Sequence, residues 1–381
     1  MKRIAGIAIV LMLLLGLMAI PAAAKQARQQ HNLKFQQDGS FKIIQVSDLQ
    51  EVYLSGRITR EFLYDLAKNE RPDLFVLAGD NISSGGANLL IPALSRLAVK
   101  RSVDAFMDVF DRIYRDFGIP VTMVFGNHDN ELLSVSRAEQ FAFYEAHRSF
   151  IGWRSDADKG TFDIQGEHVG THNLLIKDHV GIKPVFNLWL FDSGSNDPAG
   201  GYSCVQKPQI DWFNATNQSI GKLPSFSFQH IIVPEIFDYL TPDRKLPPGT
   251  VGELREEPCP GRVNEGQFEA MKAAGNVVAM FFGHDHVNTF ELRLSGAPDL
   301  VNSPGGFGSY GDLDLRGVRV ITLKENDLSS YKTYCVSYRD YYGGSFLGDL
   351  RLNMYQSLRT PATFIDTLVF WPLLRVIGWF S

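Results

Sequence analysis

Five short apolar runs in this chain each stop at a residue of a metal-ligating type, and this repeated ending constrains the fold more than any other feature. Val277-Val278-Ala279-Met280-Phe281-Phe282 runs into Gly283-His284-Asp285-His286. Upstream, Phe41 to Ser47 ends in Asp48, Leu74 to Ala78 in Gly79-Asp80, Val121 to Phe125 in Gly126-Asn127-His128-Asp129, and Phe226 to Phe228 in Gln229-His230. Runs this short, β-branched and aromatic, predict buried strands that end abruptly at loops. Between them Phe62, Leu63 and Leu66, then Val103, Phe106, Met107, Phe110, Ile113, Tyr114 and Phe117, keep helical spacing. Strands alternating with helices predict an α/β fold with largely parallel pairing, whose ligands bind at the carboxyl ends of the strands.

Further along, Val185 to Phe191 reads as a strand and Gln206 to Gln218 and Glu265 to Ala274 as helices. Leu89 to Lys100 and Leu246 to Gly261 read as loops. Gly317 to Leu323 reads as a late edge strand with which Ser329 to Tyr338 can pair. No internal repeat or low-complexity linker interrupts the pattern, so residues 41–345 are expected to form one domain, preceded by a polar segment, 25–40, and followed by an apolar tail, 346–381.

Met1-Lys2-Arg3, the apolar stretch Ile4 to Ile20, and Pro21-Ala22-Ala23-Ala24-Lys25 have the three regions of a secretory signal, so residues 1–24 are expected to be cleaved and the body exported. An uncleaved anchor would also place the body outside the cytoplasm. Cys204, Cys259 and Cys335 include no Cys-x-x-Cys pair, which excludes a zinc ribbon or thioredoxin-like site; an oxidising compartment permits one disulfide and leaves one thiol. The net charge of −5, with Lys and Arg scattered, disfavours nucleic acid as a partner. The tail Phe364 to Phe380 holds Phe, Trp and Leu but is broken by Asp366, Pro372 and Arg375. That is too interrupted to span a bilayer; the tail either docks on the body or lies at a membrane surface.

Taken singly, Asp48, Asp80 or His128 could be a strand-end cap, and His230, beside Phe228 and Ile231, could be a core histidine. Their shared placement favours a site. Asp48, Asp80, Asn127, His230, His284 and His286 together offer carboxylate, amide and imidazole donors, a set suited to two divalent ions rather than to a structural zinc. Two ions about 3.5–4 Å apart can share a hydroxide nucleophile and polarise a phosphoryl group, which is the chemistry of phosphate-ester hydrolysis.

The ordered set Asp48-Leu49-Gln50, Gly79-Asp80-Asn81, Gly126-Asn127-His128-Asp129-Asn130-Glu131, Gln229-His230 and Gly283-His284-Asp285-His286 resembles the calcineurin-like metallophosphoesterases, and within them the purple-acid-phosphatase-related branch. The resemblance covers Phe41 to about Leu323. It implies two mixed β-sheets sandwiched between helices, with a dinuclear centre of Mn, Fe or Zn on the intervening loops. It further implies that Asp80 bridges both ions, that Asp48 and His286 hold the first, and that Asn127, His230 and His284 hold the second. His128 would be the general acid, with Asp129 orienting its imidazole. Two positions depart from the pattern. Gln50 stands where the family places a histidine, and Ser83 replaces the tyrosine of purple acid phosphatases. Gln50 either lends a weak carbonyl donor to the first ion or hydrogen-bonds to Asp48 and leaves a one-ion centre. The expected function is therefore an exported phosphoesterase; the alternative is a degraded homologue that binds a phosphorylated ligand with little turnover.

Overall fold

The computed structural model describes residues 32–51, 56–84, 87–152 and 169–377; the expected signal, 1–24, lies outside them. In chain order the strands are β1 (Ser40–Val46), β2 (Leu74–Ala78), β3 (Val121–Val124), β4 (His172–Lys177), β5 (Pro184–Leu190), β6 (Ser225–Phe228), β7 (Val277–Phe282), β8 (Glu291–Leu292), β9 (Asp299–Asn302), β10 (Gly317–Lys324) and β11 (Asp327–Ser337). They form two sheets, ordered β11-β10-β1-β2-β3 and β4-β5-β6-β7-β9-β8. Within the first, β1, β2 and β3 are parallel; within the second, β5, β6, β7 and β9 are. The remaining pairings, at β10, β11, β4 and β8, are antiparallel.

Alternation along the strands builds the layers, because successive side chains point to opposite faces. Phe41, Ile43, Leu74 and Val76 pack between the sheets against Leu188, Phe226, Phe228, Ala279 and Phe281. Their neighbours Ile44, Val46, Phe75 and Leu77 face helices Arg57–Glu70 and Pro92–Phe117 on the outside. On the second sheet Trp189, Met280, Phe282 and Leu300 face helices Lys207–Ser219 and Gln267–Ala274. The result is helix, sheet, sheet, helix, as the resemblance implied. Phe226 seals the middle: Phe186, Phe281 and, from the opposite sheet, Tyr331 meet its ring edge-on at centroid distances of 4.9, 5.0 and 5.1 Å. Such pairs add about 0.5–1.5 kcal/mol each beyond area burial.

Several expectations need correction. Gly317 to Leu323 is not an edge, since β10 lies between β1 and β11. Residues 92–100 are not a loop; Pro92 starts a helix that runs to Phe117, because proline suits the first helical turn, where its missing N–H costs nothing. Leu33 and Phe35, in the segment that reads as polar, are buried in the inter-sheet core. All three cysteines are free.

The tail forms helix Phe346–Ile365, a π turn, Asp366–Phe370, and helix Trp371–Ile377. Leu352 and Tyr355 are buried in the core outside the first sheet. Asp366, which in sequence looks like an interruption, is the anion that fixes the tail. Its carboxylate accepts from Arg351 Nε at 2.7 Å, Arg351 Nη2 at 2.8 Å and the Tyr355 hydroxyl at 2.8 Å, while Arg351 Nη2 also donates to Glu61 Oε2 at 2.6 Å. No described helix is long and apolar enough to cross a membrane.

His147 clamps the end of the Arg137–Glu145 region to helix Pro92–Phe117. Its Nδ1 lies 2.9 Å from Asp111 Oδ2 and its Nε2 3.5 Å from Asp104 Oδ1. Burial lowers its pKa, but the hydrogen bonds and charges of Asp104 and Asp111 outweigh this and push it up to about 9. A group raised above its unfolded value of about 6.5 stabilises fully below that value and loses the contribution as pH climbs through the folded pKa. Thermal unfolding of the wild type should therefore shift to lower temperature between pH 6.5 and 9, and His147→Gln should flatten that segment. A wild-type melting temperature that is constant over this interval would refute the clamp.

Candidate metal centre

The parallel strands of both sheets deliver their carboxyl ends to one cleft. From the first sheet come Asp48 after β1, Asp80 after β2 and Asn127 after β3; from the second come His230 after β6 and His284 and His286 after β7. Every oxygen donor thus belongs to one sheet and every imidazole to the other. The loops are stitched by backbone bonds, Asp48 N–H to Gly79 carbonyl at 3.1 Å and Gly283 N–H to His230 carbonyl at 3.1 Å. Asp48, Asp80, His284 and Gln50 all have positive φ, 56°, 52°, 72° and 45°. Such backbone is costly for non-glycine residues and clusters where a site needs side chains aimed inward. Gly79 is required for a different reason: a Cβ there would sit 2.6 Å from His230 Nδ1.

The ligand atoms of Asp48, Asp80 and His230 lie within 4.8 Å of one another. His230 Nδ1 donates to the Ala78 carbonyl at 2.9 Å, and His286 Nδ1 to the Tyr310 carbonyl at 3.0 Å. Both rings therefore carry a proton on Nδ1 and turn Nε2 inward, the arrangement that prepares an imidazole for a metal once Nε2 gives up its own proton. His230 Nε2 lies 3.4 Å from Asp80 Oδ2 and 3.2 Å from Asn127 Oδ1, and His286 Nε2 lies 3.1 Å from Asp48 Oδ1. Asp48 Oδ2 is satisfied by the Ser47 hydroxyl at 2.5 Å and the His284 N–H at 2.9 Å. Asp48 Oδ1 and His284 Nε2 are buried with no hydrogen bond. Buried donors and acceptors are nearly always satisfied, so two unsatisfied lone pairs in one cleft fit a divalent ion.

The electrostatics agree. Burial alone would raise the pKa of both carboxylates, but the imidazoles of His286 and His230 hold Asp48 well below the carboxylate range, and His230 lowers Asp80. Burial would lower His230, yet Asp80 and Asp48 push it up to about 10. Burial, reinforced by His230, pushes His284 down to about 3, so that ring is neutral. Carboxylates that pull a proton onto an imidazole would equally pull in a metal ion, which needs the ring neutral and displaces that proton.

Two expected roles change. Asp129 does not touch the His128 ring. Its carboxylate turns inward and accepts from the backbone N–H of Gly126 at 2.8 Å, Ile82 at 3.2 Å and Asn81 at 3.3 Å, tying the Asp80 and Asn127 loops together. Burial and the charge of Asp80 push its pKa up to about 7 against those donors. Glu131 holds the imidazole instead, its Oε1 2.9 Å from His128 Nδ1. The His128 Nε2 lies 3.9 Å from Asp80 Oδ2 on the open side of the cleft. Gln50 does not reach Asp48; its amide nitrogen points at Asp80 Oδ2 from 3.5 Å. Ser83 is tied by its backbone N–H to the Glu51 carbonyl at 3.0 Å.

Tyr202 and Tyr310, which also line the cleft, carried no signal in the sequence. Tyr310 stacks on His286, centroids 4.0 Å apart at 15°, and Tyr202 meets His284 edge-on at 4.2 Å. Tyr310 donates its hydroxyl to Glu256 Oε2 at 2.7 Å. Asp285, between the two histidines, also lines the cleft; burial and then Glu256 push its pKa up to about 8.

A family model described as calcineurin-like phosphoesterase matches residues 41–288. The chain is 27% identical over 326 residues to an Arabidopsis thaliana protein named probable inactive purple acid phosphatase 14, with 76% of each chain covered. It is 28% identical over 331 residues to the plant's probable inactive purple acid phosphatase 28, with 77% of each covered. To Phosphatase DCR2 of Saccharomyces cerevisiae it is 24% identical, over 77% of this chain and 54% of that one. Among solved structures it is similar to a dimetal phosphatase from Danio rerio, at a TM-score of 0.48 and 14% identity, over 78% of this chain and 99% of the other.

Proposed function

Because this chain belongs to the calcineurin-like phosphoesterase family, we propose that it is an exported phosphoesterase that acts through two divalent ions of the Mn, Fe or Zn class. The observation that carries the proposal is the convergence of Asp48 Oδ1 and His284 Nε2, both buried and unsatisfied, with the inward Nε2 atoms of His230 and His286. Asp48, Asp80 and His286 would hold one ion, and Asp80, Asn127, His230 and His284 the other. Bound there, divalent ions polarise a phosphoryl group and lower the pKa of an attacking water. The chain's own part is positional. Asp80 is aimed by the His128 N–H at 2.8 Å, and Asp129 holds the loops beneath it. His128, whose Nδ1 donates to Glu131, turns Nε2 to the cleft, where the ring in its imidazolium form can protonate the departing oxygen of the ester.

Export, and contact of the tail with a bilayer surface, belong to the same proposal. They rest on the pattern of residues 1–25 and on the exposure of Leu368, Val369, Leu373 and Val376.

A second reading, a homologue that binds a phosphorylated ligand with little turnover, is favoured by one observation. Gln50 presents an amide N–H to Asp80, where an imidazole would present a lone pair. Losing a partner outside the ligand set costs about 10–100-fold in metal affinity, and a missing ligand at least that. Wild-type hydrolysis of an aryl phosphate should therefore be weak without added Mn²⁺ and rise steeply with it, and Gln50→His should reach its plateau at 10–100-fold lower Mn²⁺, on the order given by such losses. Wild type inactive at saturating metal beside an active Gln50→His would establish the binding-protein reading. Equal plateaus without added metal would refute the handicap assigned to Gln50.

A further inference from the structure

Beyond the matched segment, 41–288, a buried arginine links the C-terminal helix to the metal centre. Residues 303–311 wrap the His286 side of the cleft. The Gly306 N–H donates to the Asp48 carbonyl at 3.2 Å, the Gly305 N–H to the His286 carbonyl at 3.1 Å, and the Tyr310 carbonyl receives His286 Nδ1–H. This loop is rich in glycine, and its one core side chain, Phe307, packs against Tyr338 and Tyr355 at centroid distances of 4.4 and 5.5 Å. Its backbone carbonyls are held by Arg316, 1% exposed, whose guanidinium donates to those of Gly306 and Ser309, the latter at 2.8 Å, and lies over the Phe307 ring at 5.1 Å. Its remaining Nε donates to Gln356 Oε1 at 2.7 Å, and the Gln356 amide in turn donates to the Gly311 carbonyl. Gln356 stands one residue beyond Tyr355, on the helix docked by the Arg351–Asp366 pair.

We infer that Arg316 and Gln356 are positioning residues for the metal centre: through residues 303–311 they set the carbonyl of Tyr310, which fixes the proton of His286 on Nδ1 and aims Nε2 at the ion. The inference rests on the metal-centre reading given above. Its physical basis is that a carbonyl or carboxylate behind a ligand histidine typically changes metal affinity by about 10–100-fold when disturbed. A guanidinium spreads its donors over a fixed planar fork that reaches two loop carbonyls and a helix side chain at once; an ammonium's three donors leave a single atom on a flexible stem and do not span them.

The test is a Mn²⁺ titration of the full chain, following free Mn²⁺ by its paramagnetic resonance signal, with melting temperature measured in parallel. Arg316→Lys should weaken Mn²⁺ binding by about 10–100-fold and Gln356→Ala by about tenfold. Gln356→Glu, which keeps the acceptor for Arg316 but loses the donor to the Gly311 carbonyl, should bind Mn²⁺ more tightly than Gln356→Ala and more weakly than wild type. A merely structural role would move the melting temperature and leave the affinity alone. Folded Arg316→Lys and Gln356→Ala proteins that bind Mn²⁺ as wild type does would overturn the inference while leaving the metal centre standing. Should Arg316→Lys fail to fold, the Gln356 pair decides, since that side chain is only half-buried. Failure of the wild type to take up Mn²⁺, Zn²⁺ or Co²⁺ would overturn the metal-centre reading and this inference together.

Discussion

Asp80→Asn should strip the purified protein of both divalent ions, while His230→Ala should leave one in place. The substitution is a clean probe. Asn tolerates the left-handed backbone of this position, φ 52°, better than other residues of its size, and it keeps an oxygen to accept the His128 N–H. What changes is charge. Asp80 and Asp48 are the two carboxylates facing the inward Nε2 atoms, and with one neutralised a single negative charge would face two dications in a buried site, where unpaired charge is expensive. Affinity should fall by more than the roughly 10–100-fold of a lost outer partner. His230→Ala removes one imidazole and leaves Asp48, Asp80 and His286 together. Metal per chain, measured by elemental analysis after dialysis against trace metal, decides the matter. Two ions retained in Asp80→Asn would refute the bridging role; equal loss in both variants would mean that the two positions fill only together.

His128→Ala should lower kcat by about 10²–10⁴-fold with metal content unchanged, the range for a general acid acting only in the transition state. The geometry separates the roles of this residue. Its backbone N–H serves Asp80 and survives the substitution, whereas its side chain, about one-third exposed, serves the open cleft. The loss should shrink on an aryl ester whose leaving group needs no proton. A variant that instead loses metal would make His128 a ligand.

The parts of this architecture that could be read from sequence are those where an apolar run and a polar ending coincide. β1, β2, β3, β6 and β7 carry both signals, and their ends are the centre. β8 and β9, two and four residues long, have no run long enough to register, and β4 begins with a buried His172 that breaks an apolar reading. Its Nε2 rests 3.0 Å from the Thr122 hydroxyl and its Nδ1 2.6 Å from the Gly170 carbonyl, a tertiary arrangement invisible to periodicity. The exchange of Asp129 for Glu131 has a similar cause. Sequence adjacency suggested that Asp129 would reach His128, but the 3₁₀ turn His128–Glu131 sends neighbouring side chains in different directions and brings the fourth residue back over the first. Tyr310 and Arg316 act through a backbone carbonyl and on backbone carbonyls respectively, and a main-chain acceptor leaves no trace in residue identity.

The division of donors between the sheets gives metal selectivity a place in the order of folding. A growing chain exposes Asp48, Asp80 and Asn127 before any of the histidines at 230, 284 and 286. Until the second sheet closes on the first, the proposed ligands already made are oxygen alone, a weak set suited to hard ions such as Mg²⁺ and Ca²⁺ that exchange freely. Imidazole, which favours the transition metals, arrives only with the completed sandwich. A transition metal held by the proposed centre would therefore be one that the half-formed chain has little means to capture, and its binding energy would go to the closed state, as a cross-link between the two halves.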